Sequence, residues 1–208
     1  VIWSEQQAET TFLGPNVTPD AEAINGCAAY LRDRPDDQVL ALCGSFPGWN
    51  DADYAPIRDE ITRWTQRGLL YADVYGPPLQ GIVDQPIELI KINRQEFDAF
   101  YSEAARAQSV ESRLSKASEK WPVKNWVISN GPDSVWVQSG NGAPRELAPP
   151  KIKEVSPTGS GDVLFAVILD GLLTQKLALI EAVEAALPYA SANAAHPGVA
   201  DFEIPLQG

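Results

Sequence analysis

The chain has 208 residues, 44% apolar and 21% charged, the make-up of a folded globular protein with room for one sizeable core. Its formal net charge of −12 argues against nucleic acid or an anionic membrane as a partner of the whole surface, and no apolar run approaches the ~20 residues that span a bilayer. Two cysteines, Cys27 and Cys43, are too few for a disulfide framework and read as reduced thiols of a cytoplasmic protein, buried as small core residues. The start, VIWSEQQAET, shows no basic stretch leading into an apolar one. The chain begins at Val1 and contains no methionine, from which a fragment or a chain with omitted residues is expected.

Along the chain, strand-like and helix-like segments alternate. ETTFLG (9–14) is a short strand candidate, and 20–33 is predicted as a helix capped by Asp20. QVLALCG (38–44) is a continuous apolar run closed by glycine, the pattern of a strand buried on both faces. A helix is predicted over 51–68 with Gly68 as its stop, then strands over 69–76 and 87–93. Amphipathic helices follow at 94–107 and 110–121, and strands at 125–129 and 134–139 flank the turn Asn130-Gly131-Pro132-Asp133. Apolar helices are predicted over 163–173 and 177–195, while Pro77-Pro78 and Pro149-Pro150 read as loop punctuation. Strands separated by helices imply one α/β domain over 1–208: a Rossmann-like, three-layer α/β/α arrangement around a mostly parallel sheet.

Chemistry concentrates in SPTGSGDVLF (156–165). Gly159 and Gly161 permit left-handed turns and a close main-chain approach to a ligand. The helix that follows leaves its first N–H groups without carbonyl partners and carries partial positive charge at that end. Such a stretch is either an anion cradle with a carboxylate beside it or a turn in which Asp162 complements the helix dipole. Other polar positions also have local roles. Asn93 and Glu96 form a capping-box pattern before helix 94–107, Asn130-Gly131 suits a tight turn, and Asn193 suits a helix C-cap. His196 is the only histidine, so a two-histidine metal site is excluded, and a Ser–His–Asp triad would require Ser160, Asp162 and His196 to meet in space. The six tryptophans show no alternation with basic residues of the kind that stacks single-stranded nucleic acid.

SPTGSGDVLFAVILDGLL resembles the glycine-rich signature of the PfkB, or ribokinase-like, carbohydrate kinases. Further segments resemble that family in the same order: GSFPG (44–48), LLYADVYG (69–76), IKINRQEF (90–97), VISNGPDSVWV (127–137) and ASANAAHPG (190–198). GSFPG and IKINRQEF are most similar to the branch that includes 1-phosphofructokinase and tagatose-6-phosphate kinase. The resemblance runs from about Thr10 to the end, without the family's N-terminal substrate loop and lid.

The resemblance implies ATP-dependent phosphoryl transfer to a sugar or sugar-phosphate hydroxyl. It implies N–H groups of Gly159, Ser160, Gly161 and Asp162 around the transferred phosphoryl group, with Asp162 also taking the hydroxyl proton. Asn93 and Glu96 would place Mg²⁺ through water, and Ser129, Asn130, Gly131 and Asn193 would line the nucleotide. A homodimer built through the lid is the assembly it implies, with no nucleic-acid or membrane partner. Ser156, Ser160, Ser134 and Val167 depart from the usual residues at their positions. With the absent front portion, they motivate the alternative of a catalytically degenerate nucleotide-binding module with a regulatory or assembly role.

Overall fold

The computed structural model describes residues 15–203, so the strand candidate at 9–14 lies outside the described residues. Among these residues six strands form one sheet, side by side in chain order: β1 (Val39–Gly44), β2 (Leu69–Val74), β3 (Leu89–Asn93), β4 (Asn125–Asn130), β5 (Ser134–Ser139) and β6 (Arg145–Leu147). The β1–β2 and β2–β3 pairs are parallel and β5–β6 is antiparallel, which makes this the mostly parallel α/β sheet expected. By contacts the chain divides into two compact units, Pro15–Val127 with Gln138–Pro144, and Ile128–Val137 with the chain from Arg145 onward.

The first unit opens with α1 (Ala21–Arg32), whose cap is Asp20: its carboxylate accepts the Ala23 N–H at 2.8 Å. β1 (Val39–Gly44) follows, then a 3-10 turn (Ala52–Tyr54) running into α2 (Ala55–Trp64). Buried Glu60 of α2 is paired by Arg32 and Arg63, which ties α1 to α2. β2 (Leu69–Val74) and β3 (Leu89–Asn93) are the core strands, with Leu89, Ile90 and Ile92 wholly buried. β1 departs from expectation: only Leu42 is buried and Val39 is 42% exposed, and among the described residues β1 is the outermost strand, paired with β2 alone. Cys27 and Cys43 are likewise exposed rather than in the core. Cys27 lies on α1, beside the stripe of buried Ile24 and Ala28, and Cys43 lies on β1.

Pro77-Pro78 is not loop punctuation: it forms the first turn of α3 (Pro77–Ile82), where proline's missing N–H costs no helical bond. The single helix expected over 94–107 is two, α4 (Arg94–Asp98) and α5 (Glu103–Arg106). The break follows from tertiary contacts of the residues between them. Phe100 packs on Trp121 at 4.9 Å between ring centroids, and the Tyr101 hydroxyl donates to the Arg113 carbonyl at 2.9 Å. α6 (Val110–Lys120) completes the helices of this unit. Trp49, Trp64, Trp121 and Trp126 are all core residues, each worth several kcal/mol on truncation.

β4 (Asn125–Asn130) and β5 (Ser134–Ser139) form the hairpin around 130–133, and their ends 128–130 and 134–137 belong to the second unit. β6 (Arg145–Leu147) pairs with β5; three residues are too short for a periodicity signal. α7 (Ser160–Leu173) starts three residues earlier than expected, and α8 (Leu179–Ala194) packs against it. Their closest approach is at Gly171, where a Cβ would stand 2.9 Å from Ala182 Cβ. Val167 lines a groove of about 270 Å³ between the same two helices, with Ala166, Asp170, Gln175, Ala185 and Tyr189.

Candidate functional site

In the second unit, the loop before α7 has the form that an anion cradle needs. Gly159 is the N-cap with φ +80, a left-handed conformation in which a side chain is strained. The Ser160 N–H donates to Pro157 O at 3.1 Å. Gly161 and Asp162, second and third in the helix, are the next N–H groups that α7 itself leaves without a carbonyl. The Asp162 side chain is exposed at this positive end of the dipole.

Asn193 is fully buried. Its Nδ2 donates to Thr158 O and Ser160 Oγ, both at 2.9 Å, and its Oδ1 accepts the Ala200 N–H at 2.7 Å. The structure therefore brings Asn193 to the glycine loop, inside the protein. His196 Nδ1 accepts the Gly198 N–H at 3.1 Å, while Ser160 Oγ is engaged by Asn193, so the two are not paired as a triad would require.

The 128–137 hairpin belongs to the same unit. Ser129 and Asn130 are half-buried and Gly131 is exposed with φ +55; the Asp133 N–H closes the turn on Asn130 O at 3.2 Å. Ser134, where the resemblance has a glycine, is buried.

In the first unit, Asn93 and Glu96 form the expected capping box: the Glu96 N–H donates to Asn93 Oδ1 at 2.9 Å, and the Asn93 N–H donates to Glu96 Oε2 at 2.8 Å. Beside it lies an ion pair that motif reading missed. The parallel register sets Ala72 beside Ile90, and one residue on, Lys91 Nζ meets Asp73 Oδ2 at 2.7 Å, with side chains 5% and 16% exposed. The signal was present in IELIKIN: a lysine inside an apolar strand requires a partner. Burial pushes the Glu96 carboxyl above its ordinary value; the Asp73 charge adds to this, and hydrogen bonds from Asn93 and the charge of Lys91 only partly offset it.

A five-residue helix such as α4 does not hold itself. Phe97 is wholly buried, and Asp98 accepts from Arg94 at 2.9 Å and from fully buried Arg113 at 2.6 Å. The Arg113 guanidinium lies 5.4 and 5.1 Å from the ring centroids of Phe97 and Tyr101. Those contacts fix the helix that carries the capping box. Among the described residues no group of three or more His, Cys, Asp or Glu side chains could hold a metal ion. The oxygen donors of Asn93, Glu96 and Asp73 suit a hard cation that keeps its own waters better than a protein cage.

The family described as pfkB family carbohydrate kinase matches residues 70–205. Phosphofructokinase-2 from Escherichia coli in complex with substrates and products superposes with a TM-score of 0.79 at 20% identity, over 95% of this chain and 64% of that one. The same enzyme in complex with fructose-6-phosphate gives 0.71 at 19% identity, over 88% and 59%. Arabidopsis thaliana ribokinase complexed with ribose and ATP gives 0.62 at 16% identity, over 85% and 55%. The chain therefore spans between 55% and 64% of the length of these structures, and they share its fold.

Proposed function

Starting from the pfkB carbohydrate kinase family, to which this chain belongs, we propose that it is the nucleotide-binding and catalytic part of a cytoplasmic enzyme that transfers the γ-phosphoryl group of ATP to a sugar or sugar-phosphate hydroxyl. The observation that carries the reading is the left-handed Gly159 turn feeding α7, with an exposed carboxylate at the helix's third residue. The acceptor hydroxyl oxygen forms a bond to the γ-phosphorus as the bond to ADP breaks, and Asp162 takes the hydroxyl proton. Charge on the transferring group spreads over its oxygens, so catalysis is chiefly positioning and electrostatics. N–H groups of Gly159, Gly161 and Asp162 at the head of α7 would face that charge, with that of Ser160 shared with Pro157 O. Ser129, Asn130 and Gly131 would line the nucleotide.

Asn93 and Glu96, with Asp73 beside them, would hold Mg²⁺ through its water shell. Held there, the ion would supply positive charge to offset that of the phosphates. A sugar phosphate is favoured as acceptor, because GSFPG and IKINRQEF match the sugar-phosphate branch and because E. coli phosphofructokinase-2 was solved with fructose-6-phosphate. A homodimer is the assembly proposed.

The test is turnover by the full-length protein, followed as ADP release on a panel of fructose phosphates, tagatose 6-phosphate, ribose, fructose and nucleosides, with Mg-ADP binding measured by calorimetry. Turnover of one class with little ATPase activity in its absence is expected. Saturable Mg-ADP binding with no acceptor turned over would replace the kinase reading by that of a regulatory nucleotide-binding module. No binding at millimolar nucleotide by folded protein would remove both.

A further inference from the structure

We propose that Asn193 is a positioning residue: its buried carboxamide fastens the Gly159–Asp162 loop to the chain that follows α8, and so holds the head of α7 in its ligand-ready shape before any ligand arrives. A carboxamide offers two N–H donors and one oxygen acceptor. Here both donors go to the loop, at Thr158 O and Ser160 Oγ, and the oxygen takes the Ala200 N–H. With no exposed surface, the side chain cannot reach a nucleotide base without breaking these bonds.

Three further observations place the tie where α7 needs it. Gly159 has no side chain with which to cap the helix, so the turn must be held from outside. The last residue of α8 contributes to that hold, since Ala194 O accepts the N–H groups of Val155 and Ser156 at 2.8 and 3.0 Å. The chain beyond α8 also lies directly on the loop. A Cβ on Gly159 would fall 2.5 Å from Val199 Cγ1, and Ala200 adopts φ +53, uncommon for alanine, where its N–H meets Asn193. Gly159 thus serves two geometries at once, the left-handed turn and the seat for residue 199.

The consequence for turnover rests on the phosphotransferase reading, whereas the consequence for loop order does not. Amide hydrogen exchange, read by mass spectrometry on peptides spanning 155–163 of the nucleotide-free full-length protein, tests the latter. Asn193→Ala should raise exchange there by about tenfold or more, the order expected for losing buried hydrogen bonds, with other core peptides changed much less. Ser160→Ala removes one tie, leaves the bond to Thr158 O and should raise exchange by a smaller factor. Unchanged exchange in 155–163, or an equal rise across all peptides, overturns the proposal. Should Asn193→Ala fail to fold, Ser160→Ala decides alone: no rise in 155–163 overturns it.

In kinetics, Asn193→Ala should lower kcat with ATP and with GTP by the same factor and weaken ADP binding while sparing adenosine. A changed ATP:GTP preference would make Asn193 a base-reading residue and overturn the proposal. If the wild-type protein turns over no acceptor, the kinase reading fails and exchange still decides whether Asn193 is the latch.

Discussion

Asp162→Asn separates a catalytic base from a helix-dipole carboxylate. Asp162 is exposed and third in α7, so its structural contribution is confined to the dipole term, roughly 0.3–1 kcal/mol. In a domain of this size that corresponds to a melting shift of about 4 °C at most. As a positioned general base it contributes far more to rate, about 10²–10⁴-fold, or about 3–5 kcal/mol of barrier at 1.36 kcal/mol per tenfold. The expected result is turnover reduced by that factor, Mg-ADP affinity nearly intact and Tm almost unmoved. Gly161→Val is the companion variant. It places a β-branched side chain at the second residue of the helix head, where the phosphoryl group would approach, so triphosphate binding and turnover should fall together. The assay is coupled ADP release and thermal unfolding on the same preparations of the full-length protein. Full turnover by Asp162→Asn would refute the mechanism, as would a loss of turnover matched by a melting drop well beyond 4 °C.

Three further outcomes are expected. Gly171→Val drives a branched side chain into Ala182, whose Cβ already stands 2.9 Å from where a first carbon would lie; overpacking of about 1–3 kcal/mol should lower Tm without altering the loop's chemistry. Burial pulls the Asp98 carboxyl upward, but the hydrogen bonds and charges of Arg113 and Arg94 outweigh it and hold the group below its ordinary 3.8. Its stabilisation is therefore complete above 3.8 and lost as pH falls through the lower folded-state value, so Asp98→Asn should flatten the acid limb of a stability–pH curve. The Glu96 value is raised, mainly by burial, so its charged form is penalised above the folded-state value and the penalty is relieved on acidification. Because a protonated carboxyl does not hold a hydrated cation, apparent Mg²⁺ affinity should weaken as pH falls through that raised value, a dependence that Glu96→Gln removes.

Local signals carried much of the organisation. Asp20 at the cap of α1, the Asn93–Glu96 box at the head of α4 and Gly159 at the cap of α7 act within a few residues of themselves, through backbone groups their own segment leaves unpaired; the first two stand where their spacing indicated, while α7 begins three residues earlier than its apolar run and takes in Gly161. The alternation of apolar strands and amphipathic helices was sufficient for a mostly parallel α/β sheet, because each pattern buries only in its own geometry. What local pattern could not carry was the outcome of contacts between distant segments. Residues 94–107 have helical periodicity throughout, yet the packing of Phe100 on Trp121 and of Tyr101 on the Arg113 carbonyl outweighs propensity and breaks the helix. VLALCG has the composition of a central strand, but among the described residues it is outermost in the sheet and partly exposed, a placement that composition does not encode. Lys91 needed a counter-charge, and only strand register identified Asp73. Asn193, a helix cap by local pattern and a nucleotide contact by resemblance, has its amide bonded to Thr158 and Ser160, more than thirty residues away. A hydrogen bond across that separation depends on how two helices and a loop fold back on one another, which no spacing within a single segment encodes.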